Sequence, residues 1–353
     1  MKKHTLVALA ALTAATGAMA QSSVTLFGVV DASLARVSAG GNDVTGLSSG
    51  GLSSSRLGFR GVEDLGGGLA AGFWLEGGLA VDNGTGAGFR FDRRSTVSLS
   101  GKGWGELRLG RDKSPAYLNV ETFDPFGDSG VGGINGANLI GSASSAVGTA
   151  EGSAPKRYSN SIGYVAPSLG GVYGQVAYSF GESASNIPND RKGSGIALRF
   201  GYGSGPLNVA LGYGQSRGGT DAAGVDYKST NIGASYNFDG IKPMVLFATE
   251  KGAGKRVDLF ALGVSVALGA GELRASYAMF KDKNTSNADS KKLALGYGYN
   301  LSKRTQLYAT VARMDNDGAA RRGLAVSSSS LVSPAIANGV NVTGYEFGVR
   351  HSF

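Results

Sequence analysis

The chain closes on YEFGVRHSF, nine residues in which strict period-two alternation runs into the last side chain. Tyr345, Phe347, Val349, His351 and Phe353 fall on one face, and Glu346, Gly348, Arg350 and Ser352 on the other. Period two marks a β-strand, and a strand that carries its pattern to the terminus is unlike the loose ends of soluble domains. The pattern recurs upstream. Ile196, Leu198, Phe200 and Tyr202 alternate with Ala197, Arg199 and Gly201; Leu207, Val209, Leu211 and Tyr213 with Asn208, Ala210 and Gly212. Phe260 to Leu268 and Leu293 to Tyr299 repeat it. One face is apolar and ends in aromatics, while the other is small or polar.

The two faces separate architectures. In a soluble sandwich the face opposite the core meets water and carries lysine and glutamate; here it carries glycine, alanine and serine. A membrane barrel inverts the arrangement, with apolar side chains on lipid and small or polar ones around a wet lumen. No run reaches the roughly 18 uninterrupted apolar residues of a spanning helix. Glycine is 59 of 353 residues without a Gly-X-Y period, and 42% of residues are hydrophobic, which excludes collagen-like and disordered chains. Tyr164, Tyr178, Phe180, Tyr202, Tyr213, Tyr236, Phe238 and Tyr299 stand at strand ends, as interfacial girdles require.

Tight connections at EDLGGGLA, SGKGWGEL, PSLGGVYG, YGSGPLN, FDGIKP, LGAGEL and NLSKRTQ alternate with longer polar segments near 37–54, 81–90, 113–155, 183–192, 218–225, 284–288 and 315–340. At roughly 40 residues per strand pair, this predicts a sixteen-stranded antiparallel transmembrane β-barrel whose first strand, from about Val24, meets the last. Closure answers the alternation at the terminus, because in lipid every backbone donor and acceptor needs an internal partner. Both faces of MVLFAT (244–249) are apolar, and its register is not legible.

The first twenty residues hold Lys2 and Lys3, an apolar stretch and Ala18-Met19-Ala20, the layout of a cleaved signal peptide, leaving 21–353 as one barrel domain. Without those two lysines, 32 basic residues face 26 acidic ones, +6. No basic block interleaved with aromatics marks a nucleic-acid surface, so the charge reads as a field acting on small ions. Cysteine is absent, no metal-ligand or phosphate-loop motif is present and no cofactor is expected. Beyond the leader the one histidine is His351, at outward parity, which excludes a serine–histidine site and hence an enzyme of that kind.

The segments QSSVTLFGVVDASLA, SSRLGFRGVEDLGGGLAAGFWLE, GELRLGRDKSPAY, RYSNSIGYVAPSLGGV and GYEFGVRHSF resemble the general porins of Gram-negative bacteria, of the beta-proteobacterial type, over essentially the whole mature chain. The resemblance implies a homotrimer in the outer membrane, among lipid and lipopolysaccharide, with the third long loop folded into each pore. It implies passive diffusion of small hydrophilic solutes and ions. The last strand, with Tyr345, Phe347 and Phe353, also resembles the terminal signal that such barrels present to the barrel assembly machinery. A substrate-specific porin and a structural or adhesive barrel are the alternatives.

Residues 113–155 show no clear strand, a length uncommon in compact domains unless the loop is functional. FDPFGD resembles the tip of the family's constriction loop, and Glu121, Asp124 and Asp128 are expected in or near the lumen. Strand parity sends Arg56, Arg60, Arg94, Arg108, Arg157, Arg199, Arg274 and Arg350 inward, with Glu76, Glu106 and Glu346 as lining partners. The resemblance to anion-selective porins implies that Arg56, Arg94 and Arg157 form a basic wall facing the loop acids, with Arg93 able to replace Arg94 after a one-residue slip. Together with the +6 balance, this predicts an anion-preferring pore.

Overall fold

The computed structural model describes residues 23–84, 90–134, 136, 139–140, 154–326, 334 and 336–353. The expected leader, 1–20, lies outside them, as does most of the second half of the 113–155 loop. Seventeen strand segments follow in order. They are β1 (Ser23–Ala39), β2 (Asn42–Ser49), β3 (Arg56–Gly66), β4 (Leu69–Gly78), β5 (Arg94–Gly101), β6 (Gly105–Lys113), β7 (Arg157–Val165), β8 (Val172–Ser179) and β9 (Gly195–Ser204). The second half comprises β10 (Leu207–Gly219), β11 (Gly224–Tyr236), β12 (Ile241–Gly252), β13 (Lys255–Leu268), β14 (Gly271–Asp282), β15 (Ser290–Asn300), β16 (Thr305–Asn316) and β17 (Val342–Ser352).

All pairings are antiparallel, and β1 returns to β17, so the sheet has no free edge. β2 and β3 pair with successive halves of β1, Ala32 to Ala39 and Ser23 to Val29, and so form one stave interrupted at 50–55. The ring therefore has sixteen staves. The seven short connections fall where GGG, KGW, SG and similar turns predicted them. On the opposite rim the expected long loop at 37–54 is instead a tight Gly40–Gly41 turn and strand β2. The polar composition that suggested a loop reflects an inward bulge: residues 50–55 turn onto Asp31, whose Oδ2 accepts the N–H of Leu52 (3.0 Å) and Ser53 (2.7 Å).

Outward positions are apolar and exposed, as at Leu211, Ile232, Phe260, Leu293 and Phe347. Tyr178 and Phe180 pair edge-to-face at one rim, and Tyr236 packs on Phe238 at the other, giving two aromatic girdles. At the seam Gly28 and Phe353 exchange both backbone hydrogen bonds, at 3.0 and 3.1 Å, and the Phe353 ring covers Gly28 so closely that a Cβ there would lie 2.4 Å from it. Gly28→Val is expected to lift this ring and weaken the last rung by roughly 1–3 kcal/mol. On unheated gels the folded band should then convert to the unfolded one at a lower temperature; conversion at the wild-type temperature refutes the seam's contribution.

The hydrophobic core lies inside the barrel, on one side only. Helix α1 (Pro115–Thr122) packs against the inner wall of β8 to β11, and the chain after it continues along the wall from β11 to β17 and β1. This explains MVLFAT. Met244, Leu246 and Ala248 face inward and are buried, whereas Val245 and Phe247 face lipid, so both faces of β12 meet apolar surroundings.

Candidate functional site in the barrel lumen

Inner-wall glycines provide the seats for the inserted segment. A Cβ on Gly233 would stand 2.1 Å from Phe123, one on Gly263 2.7 Å from Pro125, and one on Gly296 2.9 Å from Phe126. Polar wall residues then hold its backbone and helix. Asn231 donates to the Ala116 carbonyl at 3.1 Å and accepts from Asn119 at 2.7 Å. Glu346 accepts the Val131 N–H at 3.1 Å, and Glu250 that of Ile140 at 3.0 Å. Lys292 donates to the Gly133 carbonyl, and Arg322, stacked on Phe280, donates to the Leu139 carbonyl at 2.9 Å.

With that side filled, the open lumen lies against β3 to β7. It narrows to a cavity of about 480 Å³ lined by Arg56, Arg93, Arg94, Lys113, Arg157, Arg274 and Arg350, with Glu76, Glu121 and Asp124. Both Arg93 and Arg94 reach it, so the expected choice between them does not arise. Glu76 anchors the group: its carboxylate takes Arg93 at 2.6 Å and the Trp74 indole N–H at 3.2 Å, and lies 3.8 Å from Arg56. Arg56 also donates to the Ser54 carbonyl at 2.8 Å, using the inward bulge as a bracket. Arg94 stacks on Trp74 at 4.6 Å, and Arg60 on the same ring at 5.3 Å. Arg157 donates to the Arg93 carbonyl at 2.9 Å. A bulge between Gly110 and Asp112 and a left-handed Asn160 (φ 47°) break strict alternation between Ile162 and Arg157. Arg157 reaches the lumen as the first residue of its strand rather than by parity.

The loop acids are placed differently from expectation. Glu121 faces the cavity and pairs with Lys113 at 2.6 Å. Asp124 is only 5% exposed, and its carboxylate accepts the N–H groups of Phe126 (2.9 Å), Asp128 (2.9 Å) and Ile134 (2.7 Å). Standing at the cavity's edge, it spends its carboxylate on folding the loop tip. Burial pushes its carboxyl up to about 6, with the three N–H donors acting in the opposite direction. Asp128 is covered by Lys156 at 2.5 Å and by the Tyr117 hydroxyl at 3.0 Å. Glu121 and Asp124 thus line the cavity, the first paired with Lys113 and the second bonded to the loop backbone, while Asp128 lies outside its lining.

Three other inward residues also differ in surroundings from a simple lining role. Glu346 is 2% exposed beneath the loop. Arg199 is engaged by Asn119 at 2.9 Å and Thr122 at 3.0 Å, supporting α1. Arg108 is held between Glu106 (2.7 Å) and Asp112 (3.1 Å). Sequence reasoning missed Asn231, Glu250, Lys292 and Arg322, and also Asp31 with Tyr308, whose hydroxyl donates to the Asp31 carboxylate at 2.6 Å. For Lys292 the available signal was a charged residue at inward parity whose cross-strand partners, Ala278 and Met314, are both apolar.

The sequence profile of the family described as Gram-negative porin matches residues 6–319. Outer membrane porin protein 32 of Delftia acidovorans is 39% identical over 359 residues, covering 99% of this chain and 100% of its own length. An outer membrane porin protein of Bordetella pertussis is 32% identical, with 87% of this chain and 93% of that protein covered. Among solved structures, the anion-selective porin from Comamonas acidovorans is similar at TM-score 0.84 and 36% identity, over 94% of this chain and 100% of that one.

Proposed function

This chain belongs to the Gram-negative porin family and forms an outer-membrane diffusion channel, and we propose that its pore prefers anions. The observation that carries this reading is the cavity lining, seven cationic side chains against three acidic ones, of which Asp124 is turned into the loop. Guanidinium groups hold their charge at any physiological pH, and the low-dielectric wall focuses their field into the passage. The similarity to an anion-selective porin supports the same assignment. Arg56, Arg93, Arg94 and Arg157 act as the attracting wall, and the inserted residues 121–129 narrow the passage. The barrel functions as a homotrimer embedded in outer-membrane lipid and lipopolysaccharide, is delivered by a signal peptide removed near residue 20 and is closed by the barrel assembly machinery. It passes small hydrophilic solutes and anions without catalysing a reaction.

Zero-current potentials across planar bilayers in a potassium chloride gradient test the preference. The chloride side of the scale is expected for the wild type, and a potential of potassium sign overturns the reading. An adhesive barrel with a plugged lumen would show no conductance steps at all.

A further inference from the structure

Where β2 gives way to β3 along β1, Val30 and Asp31 have no ladder partner on that side. Asp31 faces inward, is fully buried and closes this gap through all of its polar groups. Its N–H donates to the Ser55 hydroxyl at 3.0 Å, and its carbonyl accepts the Gly50 N–H at 2.8 Å and the Ser55 hydroxyl at 3.0 Å. One carboxylate oxygen holds the N–H groups of Leu52 and Ser53, and the other is fixed by Tyr308. Only an ionised carboxylate accepts from three such donors while donating nothing. The inward bulge sits tightly on this seat: a Cβ on Gly51 would stand 2.5 Å from the Tyr308 hydroxyl and 2.9 Å from that of Ser33.

The far end of the bulge carries Arg56. One terminal nitrogen of its guanidinium donates to the Ser54 carbonyl at 2.8 Å and to the Ser53 hydroxyl at 3.2 Å, and Leu52, Ser53 and Ser54 line the same cavity. Arg56 Nε stays 3.8 Å from Glu76, too far for a hydrogen bond. An arginine released from Ser54 has donors to spare and a carboxylate beside it, and in contact with Glu76 it would present less net charge to a passing ion.

We propose that Asp31 is a positioning residue for ion selectivity: it pins residues 50–55, whose Ser53 and Ser54 hold the Arg56 guanidinium off Glu76 and open to the passage. The proposal rests on the anion preference stated above and adds that a buried acid sustains it. The sign separates positioning from a direct effect of charge. Asp31 is itself negative and its cross-strand neighbour Arg350 lines the cavity, so loss of the carboxylate would, by direct electrostatics, strengthen the attraction for anions. Positioning requires the reverse.

Zero-current potentials of the wild type, Arg56→Gln, Asp31→Asn and the double variant in a potassium chloride gradient test this. Asp31→Asn is expected to move the potential in the potassium direction by most of the shift that Arg56→Gln produces, and the double variant to match Arg56→Gln alone. Gly51→Ala, which pushes the bulge off Tyr308 without altering any charge, should act in the same direction and likewise add nothing to Arg56→Gln. It decides the matter if Asp31→Asn gives no folded band on unheated gels. Unchanged or stronger anion preference in these variants overturns the proposal, and so does the absence of any shift in Arg56→Gln. A shift that persists on the Arg56→Gln background would report a wider lumen rather than a displaced guanidinium, and would also overturn it. The anion preference is judged on the sign of the wild-type potential and the positioning role on the differences between variants, so either can fail alone.

Discussion

With Arg56, Arg94 and Arg157 all replaced by glutamate, the zero-current potential in a potassium chloride gradient is expected to change sign, turning an anion-preferring pore into a cation-preferring one. Seven cationic and three acidic side chains line the cavity, an excess of four positive charges. Three arginine-to-glutamate changes move the balance by six, to an excess of two negative charges. A unit charge at 4 Å is worth about 4 kcal/mol at an effective dielectric constant of about 20, several times thermal energy, so the sign of the lining decides which ion enters. The triple glutamine variant, which removes charge without adding like charges beside Glu76, should lie between the two and keep a weak anion preference. Arg108→Gln is the control. Its guanidinium is already matched by Glu106 and Asp112, so its removal should shift the potential little. Raising salt should compress all the differences, because the Debye length falls to about 3 Å at 1 M. A glutamate variant that still prefers anions sinks the basic-wall reading, and with it the assignment of selectivity to β3 to β7.

What the sequence made legible was whatever depends on one strand at a time. Outward Phe347 or Leu293 follows from lipid contact alone, and period two reports it without knowledge of neighbours. The sixteen-stave ring and its closure at Phe353 follow from repetition of that rule. The inward face is different, because its surroundings are set by a segment more than a hundred residues away. Glu346 and Arg350 share one parity, yet the first is covered by Val131 and the second lines the cavity. Nor does any periodicity govern a loop. Asp124 and Asp128 read as solute-facing acids because carboxylates are ordinarily solvated, and only the folded tip shows one satisfied by three backbone N–H groups and the other by Lys156 and Tyr117. The ambiguity at Met244 to Thr249 was itself information: a strand apolar on both faces inside a porous barrel marks the place where something packs from within.

The largest effect on the inserted segment is expected from Lys292→Met. Lys292 is 1% exposed, donates to the Gly133 carbonyl and stands near the carboxylates of Asp124, Asp128 and Glu346. Methionine fits the volume but leaves the buried Gly133 carbonyl without its donor, and an unsatisfied buried polar group costs about 1–3 kcal/mol. The barrel does not depend on this tether, since its strands are hydrogen-bonded around the ring from β1 to β17. The cost therefore falls on the loop tip, which is held mainly by glycine seats and by these wall charges. Larger and noisier single-channel currents are expected, together with new protease cuts near residues 127–134, while the folded band on unheated gels persists. Lys292→Met combined with Glu346→Gln should recover part of the wild-type trace, because the uncompensated buried charge is then reduced. Gly233→Val attacks the same segment sterically at Phe123, where even a single Cβ would come within 2.1 Å, and should produce the same phenotype without any change of charge. Quiet, wild-type currents from both single variants would mean that the inserted segment is held by something other than these contacts.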